Sequence, residues 1–198
     1  MTPNDLTSRI RQEALRQFAE RGFDGTSMRD VANALGISPG NLTYHYPKKL
    51  DLFTAAIEGT YATFLADIKA AAASPGCSAR ERLRALLERL HHPSAAERQM
   101  LRAGMRELVS APEHLAPVVH LFRSGHPLVL MGAVQAAIAE GALPKGVGLG
   151  VVPIIMATLI AAPMVARAAV ASHPGFDFVE AAVSQSYHDL LVLLGFEP

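Results

Sequence analysis

The chain has 198 residues, half of them apolar, and 18 basic side chains balance 18 acidic ones. That composition excludes a disordered polyelectrolyte and a charged tail, and it leaves room for one or two domains with a real core. Cys77 is the only cysteine, which excludes an intrachain disulfide, a CxxC redox pair and a thiolate zinc cluster.

The first residues lack a basic stretch followed by an apolar run, so no secretory signal is read and the expected location is cytoplasmic. Leu6, Ile10, Ala14, Leu15, Phe18 and Ala19 recur at three-and-four spacing, which predicts a helix over residues 3–21. Thr2 suits its cap, Pro3 its first turn and Gly22 its end. After a turn at Gly22-Phe23-Asp24-Gly25, Ser27 and Asp30 fit a capping box that opens a short helix ending at Leu35, with Gly36 as the stop. Ser38-Pro39 opens a third, very short helix that ends before Pro47.

A long helix follows over residues 48–73, closed by Ser74-Pro75-Gly76. Further helices are expected over residues 79–91, 95–110, 113–122, 127–140, 151–172 and 177–194. No sustained period-two pattern and no repeat occurs, so the expected class is all-α. The uncharged run over residues 146–166 reaches membrane-spanning length. Its glycines, Pro153 and Pro163 and its reliance on Ala argue instead for a helix buried between subunits, without membrane contact.

Two helices joined by a tight turn account for the residue types between Thr26 and Tyr46. Ala32 is small where helices must pass closely, Gly36 can take a positive φ, and Val31, Leu35, Ile37 and Leu42 can meet beneath the turn. With Leu42 inward, Pro39, Gly40, Asn41, Thr43, Tyr44 and His45 form an exposed polar and aromatic surface, the kind a recognition helix offers to base edges. Lys48 and Lys49 sit in the first turn of the long helix, where the macrodipole disfavours positive charge. Folding alone gives no reason for them, whereas DNA phosphates would. The hydroxyls of Thr26 and Ser27 at a helix start offer a second phosphate-binding point.

The segment over residues 10–53 resembles the DNA-binding domain of the TetR/AcrR (tetracycline-repressor) family of bacterial regulators. The resemblance rests on Ala19-Glu20-Arg21-Gly22-Phe23-Asp24-Gly25-Thr26-Ser27, Asp30-Val31-Ala32, Gly36-Ile37-Ser38-Pro39-Gly40-Asn41-Leu42 and Tyr44-His45-Tyr46-Pro47-Lys48-Lys49. It implies a helix-turn-helix domain over residues 1–47 and a helical ligand-binding and dimerisation domain over residues 48–198. It also implies a recognition helix over residues 38–45, with Asn41, Thr43 and Tyr44 as base or sugar-phosphate contacts. Thr26, His45, Tyr46 and Lys49 are then phosphate anchors. The chain departs from the usual pattern at Thr43, where an aromatic is common, and at Leu50, where an acid is common.

Three partners follow from the resemblance: a double-stranded DNA operator, a second copy of the chain joined through the last two helices, and an unidentified small-molecule effector with no cofactor. The dimer face would use Phe178, Ala181, Ala182, Val183, Ser186, Leu190 and Leu194, with Ala157, Ala161 and Ala168 allowing close approach. The candidate pocket lining is Tyr61, Phe64, Leu65, Met100, Met105, Leu108, Phe122, Leu130, Met131, Met156 and Met164, since methionine adapts to varied shapes and also fills ordinary cores. Arg102, Arg106, His120 and His126 could orient a polar ligand group. His91-His92 carries no HExxH or His/Cys spacing, so no metal site is expected, and no nucleophile elbow, phosphate loop or acid-base pair points to an enzyme.

The expected function is therefore a ligand-responsive homodimeric repressor at a palindromic operator. Two other readings remain at this point, a helical small-molecule-binding protein that does not bind DNA and a membrane-associated protein using residues 151–171. Over residues 2–52, seven basic residues (Arg9, Arg11, Arg16, Arg21, Arg29, Lys48, Lys49) face six acidic ones (Asp5, Glu13, Glu20, Asp24, Asp30, Asp51), a net of plus one. Such a balance predicts weak non-specific binding and reliance on a fitting operator.

Overall fold

The computed structural model describes residues 3–163 and 177–196. Among these residues every regular element is helical. The order is α1 Pro3–Arg21, α2 Met28–Leu35, α3 Pro39–His45, α4 Lys49–Ala72, α5 Ala79–His91, α6 Ala95–Ser110, α7 Val119–Ser124, α8 His126–Ala139, α9 Val151–Met156 and α10 Asp177–Leu193. A 3-10 turn at Pro112–Leu115 precedes α7, and a π-helical turn at Ala157–Ala161 continues α9. The chain packs as two compact units, residues 1–64 with 94–122, and residues 65–93 with 123–198.

In the first unit the sequence periodicity becomes a core of Ile10, Leu15, Phe18, Val31, Leu42, Leu52, Phe53 and Ile57, all nearly inaccessible. Phe18 meets Phe53 edge-on at 5.0 Å, Phe23 meets Phe53 the same way at 5.6 Å, and α1 lies along α6. Each fully buried phenylalanine contributes about 1.5–3 kcal/mol from removed apolar area. In the second unit α5 packs on α8 through Leu83, Leu86, Leu87, Leu90, Leu130 and Val134. Ser78 and Ser94 open α5 and α6 with complete capping boxes to Glu81 and Glu97, so both helices start at a defined residue.

Two expected helices differ from what forms. The helix over residues 113–122 is broken into the 3-10 turn and α7, because Pro117 has no N–H to give and its ring opposes the carbonyl four residues back. The helix over residues 151–172 begins as expected at Val151 and widens into the π turn just ahead of Pro163, which cannot donate to Leu159. The remainder of that span, Ala168 included, lies outside the described residues, as do Thr2 and Met164. Among the described residues no helix is long and apolar enough to cross a membrane, and no cluster of three His, Cys, Asp or Glu could hold a metal.

Candidate nucleic-acid interface

Local hydrogen bonding builds the α2-turn-α3 pair residue by residue. Ser27 Oγ accepts from the Asp30 N–H at 3.1 Å and donates to Asp30 Oδ2 at 2.6 Å, a bond that holds the Asp30 carboxyl below the usual carboxylate range. Gly36 takes φ 67° and ψ 29°, and the Ile37 N–H reaches Ala32 O at 3.1 Å, so the helix ends in a left-handed closure that a Cβ would strain. Ser38 Oγ then accepts from the Asn41 N–H at 3.1 Å, with Pro39 in the first turn of α3. Val31, Ala32 and Leu42 are fully buried where the two helices meet, which fixes which side of α3 faces out.

That outer side carries Pro39, Gly40, Asn41, Thr43 and Tyr44, all exposed; Tyr44 shows 85% of its surface to solvent. Thr43 Oγ1 donates to Pro39 O at 2.9 Å, and the Tyr44 ring stands edge-on to His45 at 5.5 Å. Ser38 and Lys48 are exposed, His45 is half-buried, and the Lys48 N–H is capped by Asp51 Oδ2 at 3.1 Å. Asn41, Thr43 and Tyr44, expected as contacts, thus share one accessible face.

A second group of expected contacts is instead drawn into the fold. Thr26 is 1% exposed and its hydroxyl donates to Gly22 O at 2.8 Å. Lys49 Nζ donates to Phe23 O at 2.9 Å and Thr26 O at 3.1 Å, and lies 4.3 Å over the Phe23 ring. Tyr46 is 8% exposed, and its burial raises the phenol above its ordinary range. The expectation that folding gives Lys49 no reason is therefore corrected. Lys49 pins the turn between α1 and α2 through two carbonyls and a ring face.

The same turn is held from α6 by residues that the sequence did not single out for this role. Glu107, 3% exposed, accepts the Phe23 N–H at 2.9 Å on one oxygen and meets His114 Nδ1 at 2.8 Å on the other. His114 lies 4.0 Å from the Phe23 ring. Arg106, considered as a ligand-orienting group, donates to Glu20 O at 3.0 Å, and its side chain packs beside Gly22, whose φ of 77° needs glycine. Separations of 84 and 86 residues leave no local sequence signal for these contacts.

Expected pocket residues fall in both packing units. Tyr61, Phe64 and Met100 are buried in the first, with Tyr61 Oη donating to Leu121 O at 2.9 Å; Met105 is half-buried and Leu108 exposed there, and Leu65, half-buried, belongs to the second. The side chain of Phe122 lies outside what is described. In the second unit Leu130 is buried, Met156 half-buried and Met131 exposed. Arg102 and His120 face solvent, while His126 is 6% exposed and burial lowers its ring to about 4, so it is neutral at pH 7. A shallow cleft of about 300 Å³ is lined by Arg80, Glu81, Arg84, Gly195 and Phe196, none of which is an expected pocket residue. Arg80 is committed there to Ala142 O, Gly195 O and the Phe196 ring.

On the last helix, Leu190 and Leu194, expected at the dimer face, belong to the core of the chain's own second unit. Ala181 and Ala182 are exposed and Val183 and Ser186 half-buried; the side chain of Phe178 lies outside what is described, and among the described side chains of this helix the large apolar ones left exposed are Val192 and Leu193.

Comparison with known proteins agrees with this geometry. Residues 10–56 match the family of bacterial regulatory proteins designated tetR. Over 61 residues the chain is 36% identical to the HTH-type transcriptional regulator RutR of Escherichia coli strain K12, an alignment covering 31% of this chain and 29% of RutR. The chain thus aligns with about a third or less of the length of the first curated relatives it matches. Similarity of fold extends further. A bacterial regulatory protein in the tetR family from Rhodococcus RHA1 superposes with a TM-score of 0.73 at 25% identity, covering 97% of this chain and 98% of that one. The transcriptional regulator FadR from Bacillus subtilis, in complex with stearoyl-CoA, gives 0.73 at 15% identity, covering 94% and 98%. Residues 10–56 thus carry a helix-turn-helix segment that matches the tetR family of bacterial regulatory proteins, and over nearly its whole length the chain has a fold like that of a tetR-family structure.

Proposed function

We propose that the chain is a ligand-responsive homodimeric repressor that reads a palindromic DNA operator with α3. The observation carrying this reading is the α3 face itself. Pro39, Gly40, Asn41, Thr43 and Tyr44 are presented outward on a seven-residue helix whose other side is locked by Leu42. A tyrosine left 85% exposed on a rigid element is a poor choice for folding and a good one for a groove. In this reading residues 1–47 engage DNA and residues 48–198 sense the effector and dimerise. Asn41, Thr43 and Tyr44 are the base or sugar-phosphate contacts, and Ser27, Ser38, His45 and Lys48, none of them buried, serve phosphates.

Dimerisation through the last two helices is supported by Ile154, Val192 and Leu193, apolar side chains left about half exposed. A two-fold axis would set two α3 helices one DNA turn, roughly 34 Å, or a multiple of that apart. An effector acts by binding one spacing of those helices more tightly than the other, because equal affinity shifts nothing. The stearoyl-CoA complex of the similar B. subtilis regulator supports a small-molecule input of this kind.

Genome-wide selection of DNA with the purified chain, repeated with Asn41→Ala and Tyr44→Ala, tests the reading. The expected result is a palindromic site for the wild type and at least tenfold weaker binding for the variants, with unfolding midpoints unchanged. No enriched site at moderate salt would overturn it.

A further inference from the structure

The α3 face has an internal division that bears on which base it reads, an inference that rests on the proposed DNA-binding role. Pro39, Gly40 and Thr43 stand at i, i+1 and i+4, on one side of the helix. Pro39 has no side-chain donor and Gly40 has no side chain. The single hydroxyl among them, Thr43 Oγ1, has its hydrogen committed to Pro39 O at 2.9 Å. The exposed side-chain surface of this ridge is therefore C–H surface, the Thr43 methyl included, together with hydroxyl lone pairs.

Gly40 supplies an independent observation. Its φ is not positive, and a Cβ built there would meet only Ser38 Oγ, at 4.0 Å. Neither backbone conformation nor internal packing calls for glycine, although glycine is among the poorest residues for a helix. What glycine does provide is close approach of the helix backbone to something outside the chain.

We propose that Pro39, Gly40 and Thr43 form a donor-poor ridge that reads thymine through its 5-methyl group in the major groove. Guanine presents N7 and O6 acceptors there, and this ridge has no free side-chain proton to give them. Adenine presents an acceptor beside its amino group, and cytosine an amino group without a methyl. Facing the ridge, those polar edges lose hydrogen bonds to water without full replacement. Thymine offers a methyl, and Gly40 lets the helix come close enough for the Thr43 methyl to cover it.

The test uses the full chain and the operator recovered by selection, with each thymine replaced singly by uracil, which deletes only the 5-methyl group. Binding is measured for the wild type, for Thr43→Ser, which keeps the hydroxyl and loses the methyl, and for Thr43→Val, which does the reverse. The expected result is one thymine per half-site at which uracil weakens the wild type and Thr43→Val by about three- to fivefold, the worth of one buried methyl, and leaves Thr43→Ser unchanged. Insensitivity of the wild type to uracil at every position overturns the proposal. So does a uracil penalty that Thr43→Ser retains at every sensitive position. Failure of the wild type to select any site overturns the DNA-binding reading beneath it, which separates the two failures.

Discussion

The α1–α2 turn and the outer face of α3 carry similar polar residues within about twenty positions of one another, and the fold treats them in opposite ways. At the turn, Thr26 and Lys49 spend their donors on Gly22, Phe23 and Thr26 carbonyls, and Glu107 accepts the Phe23 N–H from α6. On α3, Asn41 and Tyr44 stand in solvent above a buried Leu42. The difference shows that a polar residue beside a binding face can have its strongest partner inside the molecule. The turn holds the helix-turn-helix in place, and α3 meets whatever lies outside.

The largest effect that would break this division is Glu107→Ala. It strips a partner from the partly buried Phe23 N–H and from His114, and the expected loss is about 1–3 kcal/mol in urea unfolding. An unchanged midpoint would mean that α6 does not clamp the turn. Next comes a pH effect in the other packing unit, which asks whether costly buried polarity is confined to the turn. Burial holds His126 at about 4 against the ordinary 6.5. Between those values the unfolded chain binds more protons than the native one, so this contribution is complete above about 6.5 and is lost as pH falls toward 4. From pH 7 to pH 5 the loss is about 2 kcal/mol. His126→Gln is expected to flatten that part of the slope, and urea unfolding at the two pH values checks it. The smallest effect sharpens the α3 side: Gly40→Ala is expected to stabilise the fold by up to about 1 kcal/mol while weakening operator binding. A variant that gains stability and keeps full affinity would remove the need for close approach.

The sequence was most readable where the signal is local. The boundaries of α1, α5 and α6 agree with the expected spans because helix periodicity and small capping residues lie within a few positions of each end. The same local logic drew the exposed α3 face once Leu42 was set inward. It failed at Pro117, whose break was overrun by the apolar pattern around it, and at Leu190 and Leu194, where periodicity marked a buried side without saying what buries it. Lys49 was misread because its position in a helix's first turn is visible in sequence while the carbonyls it reaches, 23 and 26 residues away, are not. Arg106, Glu107 and His114 were invisible in their present role for the same reason, since no short-range pattern marks a side chain that will cap a turn formed some ninety positions earlier.

The hold of α6 on the α1–α2 turn also bears on how such regulators can be recombined. On the proposed reading, a DNA-reading head cut at residue 47 and joined to another regulator's body would leave behind Arg106, Glu107 and His114, and Lys49 as well. Its Phe23 N–H would face a foreign surface, and its turn would have lost the side chains that shape it. The portable piece is a discontinuous one, residues 1–64 together with residues 94–122, which pack as one unit. Chimeras built along that seam keep the head's own scaffold, and inheritance of a new DNA specificity along this lineage would be expected to carry α6 with it.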